Sequence, residues 1–191
     1  HRRRGRLSAA DECYASLTRS GDPYHRAEGY WGLGDYQAAN QEFRLAVVQE
    51  PKNPRVRVRW GLLYFEHYQP ADAAQLFQEA LELDPQNADA ILGLARVAAE
   101  EFEVKAVELA RRALELNPKL TEAQELLALL ALEDGDEARA RAEALKALEI
   151  SAEALDALSV LASIDWLHDQ RETPWEKKAL AVNPVYGEMY A

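Results

Sequence analysis

QEALELDPQN runs from Gln78 to Asn87, and RRALELNPKL runs from Arg111 to Leu120. A phrase that returns at a fixed interval decides architecture ahead of local propensity, because each copy marks one structural unit. Related phrases are AVVQEP at 46–51, ALELDP at 80–85, ALELNP at 113–118 and ALAVNP at 179–184, while ALEISA at 147–152 carries Ala152 in place of the proline. Counted through Pro51, Pro85, Pro118, Ala152 and Pro184, the intervals are 34, 33, 34 and 32 residues. The chain is a repeat with small deletions.

Each phrase reads as a helix ending. Apolar residues at helical spacing, such as Phe77 with Leu81, stop at an acidic or amide residue before Pro, and a proline disfavours helical geometry in the residue ahead of it. A second turn lies upstream of each phrase: LGDY at 33–36, HYQP at 67–70, EFEV at 101–104 and EDGD at 133–136. Every unit is therefore helix, turn, helix, turn. The expected pairs are 24–33 with 36–49, 54–67 with 70–83, 88–100 with 103–116, 121–133 with 137–149, and 153–168 with 174–182. A further helix is expected over about 7–19, and the first turn of another near 185. The domain reading is a basic tail and additional helix at 1–19, five helix pairs at 20–184, and a truncated repeat at 185–191.

Composition agrees. Ala, Leu and Glu dominate the 191 residues, with 9 Gly and 8 Pro as punctuation, a helical rather than a strand-forming profile. The net charge of −11 argues against nucleic acid or an anionic membrane surface as partner, since both need a clustered basic footprint. The exception, HRRRGR at 1–6, is read as a solvated tail. The single Cys13 excludes an intrachain disulfide. No apolar run approaches the ~20 residues that span a bilayer, so no membrane insertion is expected. The compartment stays open: soluble, and either cytoplasmic or exported after loss of a signal segment. The chain begins without Met and stops just as a new repeat starts, so a fragment of a longer protein is expected.

The residues now carry a resemblance. Trp60, Gly61 and Tyr64 in a first helix, Ala39-x-x-x-Phe43 and Ala73-x-x-x-Phe77 in second helices, the small residues Ala46, Ala80, Ala113, Ala147 and Ala179, and the closing prolines resemble the tetratricopeptide repeat family. The resemblance runs from about Tyr24 to the end. It implies an all-α, right-handed superhelical solenoid of antiparallel helix pairs whose first helices line a concave groove. Arg57 departs from the pattern, standing where a large apolar residue is usual; Ala110 and Ala144 replace the aromatic, and Ala152 the proline. The fifth unit matches least well.

By helical phase and resemblance together, the groove lining is expected to be Tyr24, Glu28 and Trp31; Arg55, Val58, Leu62 and Phe65; Asp89, Leu92, Arg96 and Ala99; Glu122, Glu125, Leu129 and Leu132; and Ser159, Ser163 and Trp166. A partner segment with apolar anchors, an acidic group toward the N-terminal half and basic groups toward the C-terminal half would fit it. Some relatives in the family grip a C-terminal carboxylate with Lys, Asn and Arg; here Val58, Leu62 and Leu92 occupy the comparable face, so that grip is not expected.

Signs of chemistry are few. His1, His25, His67 and His168 are dispersed without metal-ligand spacing, so no metal and no cofactor is expected. Gly32 and Gly34 lack the context of a phosphate loop and are assigned to the turn. The carboxylate pairs Glu100 and Glu101, and Asp134 and Asp136, read as solvated surface. Trp166, Trp175, Tyr186 and Tyr190 form an aromatic patch at the far end, expected as core toward a further repeat. The functional expectation is a non-catalytic scaffold that binds a peptide or protein partner. The alternatives are an accessory substrate-positioning region of a longer bacterial hydrolase or transferase, and a self-assembly module docking through its terminal repeat face.

Overall fold

The computed structural model describes residues 7–100, 104–170 and 172–186. Residues 1–6, 101–103, 171 and 187–191 lie outside the described residues, and with them the expected tail, most of the expected turn at 101–104, and Tyr190 with most of the expected further repeat. Eleven helices are found among the described residues, with no strand. They are α1 (Leu7–Leu17), α2 (Pro23–Gly32), α3 (Tyr36–Gln49), α4 (Pro54–Glu66), α5 (Pro70–Leu83), α6 (Ala88–Glu100), α7 (Lys105–Leu116), α8 (Thr121–Glu133), α9 (Glu137–Ile150), α10 (Leu155–Leu167) and α11 (Pro174–Val182). These follow the expected elements closely. Helix α10 begins two residues late, as does α7, whose expected start at 103 lies outside the described residues.

Local chemistry explains the boundaries. Pro23, Pro54, Pro70 and Pro174 open helices, where a missing N–H is no loss. The Asp or Asn before Pro85, Pro118 and Pro184 also builds the turn after it: Asp84 Oδ1 accepts from Gln86 N–H at 3.2 Å, Asn117 Oδ1 from Lys119 N–H at 3.1 Å, and Asn183 Oδ1 from Val185 N–H at 3.1 Å. The repeated phrase is thus a helix terminator and a turn former in one.

The chain divides into two compact units, α1–α6 and α7–α11. In the first, α2 pairs with α3 and α4 with α5, while α6 packs on α5 and α4. Its core holds Ala39, Phe43, Ala46, Leu63, Ala73, Phe77 and Ala80, all fully buried or nearly so. Phe77 fits because two glycines face it: a Cβ on Gly61 would lie 2.7 Å from its ring, and one on Gly93 2.5 Å. Helix α1 covers the outer face of α2, where a Cβ on Gly32 would lie 2.1 Å from the Tyr14 ring. Gly32 is therefore a packing glycine rather than a turn residue. Gly34, with φ +83°, serves the turn as expected. Arg57 keeps its stem half-buried and carries its charge outward, donating from Nε to Glu79 at 3.2 Å and from Nη1 to the Pro51 carbonyl at 2.9 Å.

In the second unit α8 pairs with α9 and α10 with α11, α7 packs on α8, and α8 lies beside α10. Alanine fills the second-helix positions: Ala106, Ala110, Ala113, Ala140, Ala144 and Ala147 are buried. Leu127, Leu158, Leu161 and Ile164 supply the bulk from the first helices. Trp175 and Tyr186 are half-buried against the Leu155 and Leu158 cluster, so this part of the far-end aromatic patch is packing.

Candidate functional site

The first helices α2, α4 and α6 of the first unit each bury one side in the core, and what remains open is a stripe. On α4 the stripe runs through the exposed Arg55 and Glu66 with Arg59 and Leu62 half-buried between them, a spacing that keeps them on one side of the helix. Arg59 ties this stripe to α2. Its guanidinium donates to both oxygens of Glu28 at 2.6 Å each and lies 4.3 Å from the centre of the Trp31 ring. Burial opposes the charge on Arg59, and the hydrogen bonds and charge of Glu28 outweigh it, holding the group above the usual guanidinium range. Trp31 in turn donates from Nε1 to Glu66 at 2.7 Å, and Arg55 lies 5.3 Å from the centre of the Tyr24 ring. Burial and Glu28 raise the Tyr24 phenol, against the pull of Arg55 and Arg59, so it stays protonated.

Tyr24, Glu28, Trp31, Arg55 and Leu62 thus share one surface, with Arg59 and Glu66 as members the sequence reading omitted. The signal was available, since Arg59 lies four residues from Arg55 and three from Leu62. Val58, 4% exposed, and Leu92, 5% exposed, lie beneath this surface rather than on it. Phe65 is half-buried in the same cluster as Phe77. Arg96 is half-buried on α6 and has no ion-pair partner among the described residues, and Asp89 is exposed.

The second unit presents α8 and α10. Along α10 the residues left open are Asp156, Ser159, Ser163, Trp166 and the terminal Leu167; every other residue from Leu155 to Asp165 is buried. Along α8, Leu129 is 42% exposed, with Glu122 and Leu132 half-buried nearby. Glu125 has another task. It is 5% exposed, and its Oε1 accepts from the backbone N–H of Asp156 at 3.1 Å and of Ala157 at 3.5 Å. The first residue ahead of α10, Ala154, has no side chain with which to cap it. Glu125 supplies that cap from a neighbouring helix and is withdrawn from any partner. Asp156 accepts from the Tyr186 hydroxyl at 2.6 Å, and Asp165 is buried against Arg141 at 2.7 Å.

Chemistry finds little foothold. Among the described residues no group of three or more His, Cys, Asp and Glu could hold a metal ion, and no helix is long and apolar enough to cross a membrane. His168 pairs with Glu137 at 2.6 Å, His25 with Asp22 at 3.0 Å, and the His67 ring lies tilted against Tyr36 with ring centres 3.9 Å apart. Asp136 caps α9 through the Arg139 N–H at 3.0 Å.

Comparison with known proteins adds four likenesses. Residues 64–101 match the family model described as tetratricopeptide repeat. The chain is similar to the solved tetratricopeptide repeat protein from Parabacteroides merdae ATCC 43184, with a TM-score of 0.78 at 22% identity over 98% of this chain and 77% of that one. It is also similar to TTC0263, a thermophilic tetratricopeptide repeat protein of Thermus thermophilus, with a TM-score of 0.75 at 17% identity over 87% and 93% of the two chains. Among curated proteins it is 35% identical over 153 residues to human protein O-mannosyl-transferase TMTC3, matching 75% of this chain and spanning 16% of that protein's length.

Proposed function

Since this chain belongs to the tetratricopeptide repeat family and has its all-α solenoid fold, we propose that it binds a segment of a partner protein along the open faces of its first helices. The fold is that of a protein-interaction scaffold. The observation that supports the finer reading is the open stripe: from Leu155 to Asp165 on α10 every residue but Asp156, Ser159 and Ser163 is buried, and on α4 the exposed Arg55 and Glu66 lie on one side of the helix with Arg59 and Leu62 half-buried between them. On the first unit that side is prebuilt, because the Arg59, Glu28, Trp31 and Glu66 contacts fix planar groups before a partner arrives. Tyr24, Trp31 and Leu62 supply apolar and aromatic contact, and Arg55 and Arg96 orient an acidic group of the partner. No residue of the chain is assigned a catalytic role.

The test is selection of binding peptides from a displayed library, followed by titration of a selected peptide against the intact chain and an Arg55→Glu, Arg96→Glu variant of unchanged helicity. Loss of about tenfold or more in affinity supports the face. Equal affinity moves the site elsewhere on the molecule.

A second reading rests on the likeness to part of an O-mannosyl-transferase: the repeats position a substrate for a catalytic region elsewhere in a longer protein. Sequencing the coding region beyond Ala191 discriminates the two, since a catalytic domain in the same frame favours the second. Self-assembly through the terminal repeat face predicts a concentration-dependent mass in light scattering, and a mass fixed at monomer sinks it.

A further inference from the structure

We infer that the open face of the second unit, carried by α8 and α10, selects a cationic partner segment with an apolar anchor, a Lys- or Arg-bearing stretch that also presents a leucine or aromatic side chain. The inference rests on the reading that first-helix faces are where partners bind.

Charge distribution carries it. Helices α8 and α10 contain Glu122, Glu125, Glu133, Asp156 and Asp165 and not one Lys or Arg. The first unit's first helices hold five arginines, Arg26, Arg55, Arg57, Arg59 and Arg96. The second unit is not short of cations; Lys105, Arg111, Arg112, Arg139, Arg141, Lys146, Lys177 and Lys178 lie on its second helices, and Lys119 in the turn ahead of α8. The two first helices themselves carry none.

Glu125 caps α10, Asp165 pairs with Arg141, and Glu122 also makes a contact within the chain. Asp156 accepts one hydrogen bond, from Tyr186, and a carboxylate has about four acceptor sites, so capacity for a partner's donor remains. Beside the acids, Leu129 stands 42% exposed on α8, and α10 offers the small Ser159 and Ser163 ahead of the half-buried Trp166. The exposed Leu129 is free to meet one apolar side chain of the partner. A cation beside that side chain would then meet Glu122 and Asp156 at the N-terminal turns of the two helices.

The test uses three fluorescein-labelled peptides of equal length and equal leucine content, whose other positions are lysine, glutamate or glutamine, titrated by anisotropy at physiological salt. The lysine peptide is expected to bind the intact chain about tenfold or more tighter than the glutamine peptide, with the glutamate peptide weakest. The Glu122→Gln, Asp156→Asn variant should lose about tenfold for the lysine peptide and flatten its salt dependence. A charge-matched Glu108→Gln, Glu149→Gln variant, altered on exposed positions of α7 and α9, should lose little. Leu129→Ser should weaken all three peptides alike. Equal losses in the two charge variants overturn the inference, because binding would then follow net charge alone. Tightest binding by the glutamate peptide, abolished by Arg55→Glu with Arg96→Glu, overturns it while leaving the first-helix reading intact. No binding by any peptide overturns both.

Discussion

The two units fill the same interface in opposite ways. In the first, a large second-helix residue, Phe77, enters a space left by Gly61 and Gly93 on first helices. In the second, the positions one and two repeats after Phe77 are Ala110 and Ala144, and those after Gly93 are Leu127 and Leu161, all buried. Ala144 and Leu161 belong to one core cluster. Bulk has moved from the second helix to the first while the repeat length stayed nearly constant. The repeat therefore constrains the volume between helices and leaves open which helix supplies it.

Breaking that exchange should produce the largest effect on stability. Phe77→Ala is expected to cost about 3–5 kcal/mol, as deletion of a fully buried ring does. Gly93→Leu alone is also destabilising, because its Cβ would begin 2.5 Å from the Phe77 ring. The double variant copies the second unit, so it should recover at least ~1 kcal/mol relative to the sum of the two single losses. Denaturant unfolding followed by helical circular dichroism reads the coupling. Strict additivity would show that the two arrangements are not equivalent solutions.

Capping separates the units next. Asp22, Asn53 and Asn87 cap the first helices of the first unit through their own side chains, accepting from Tyr24, Arg55 and Ala90 N–H groups at 3.0 Å each. Ahead of α8 and α10 stand Leu120 and Ala154, which have no side-chain cap bond. For α10 the buried carboxylate of Glu125 compensates. Glu125→Ala should cost about 1–3 kcal/mol, since it strands buried donors. Hydrogen exchange should speed first at Asp156 and Ala157. Restoring a local cap with Ala154→Ser in that background should return about 0.5–1 kcal/mol, and no return would mean that Glu125 acts through packing.

These differences also mark how far the sequence could be read. Helix positions were legible because Pro, Asp, Asn and alternating small and aromatic residues act locally, each turn being made by side chains within three residues of it. The start of α10 was displaced for the same reason: its cap comes from Glu125, thirty-one positions away, and Ala154 carries no signal. Helical phase gave the direction of a side chain but not its depth. Val58 and Leu92 share the helical phase of the expected lining and yet are buried, while Arg59, on the same stripe as Arg55, reaches across to Glu28. Depth depends on the heights of neighbours on other helices, which spacing along one helix does not encode. Gly32 reads as a turn residue in GYWGLGDY, and only the Tyr14 ring from α1 reveals its packing role.

The smallest expected effect lies in the turn between paired helices, where the two units differ by one side chain. Gly34, Tyr68, Gly135 and Asp169 recur there in the left-handed region, with φ of +83°, +56°, +75° and +59°. Each turn closes with the same hydrogen bonds: the N–H groups of Asp35, Gln69, Asp136 and Gln170 reach back to the carbonyls of Tyr30, Tyr64, Ala131 and Asp165 at 2.9–3.0 Å. Glycine occupies this position without strain and an aspartate does so tolerably, but a tyrosine does not. Tyr68 is 89% exposed, so its ring contributes almost no burial to offset the strained backbone. Tyr68→Gly should therefore stabilise the first unit by about 0.5–1 kcal/mol, visible as a small rise in thermal midpoint, whereas Gly135→Tyr should destabilise the second by a similar amount. A falling midpoint for Tyr68→Gly would mean that the ring makes a stabilising contact, and the turn would then join the first-helix stripes as a surface to be probed with partner peptides.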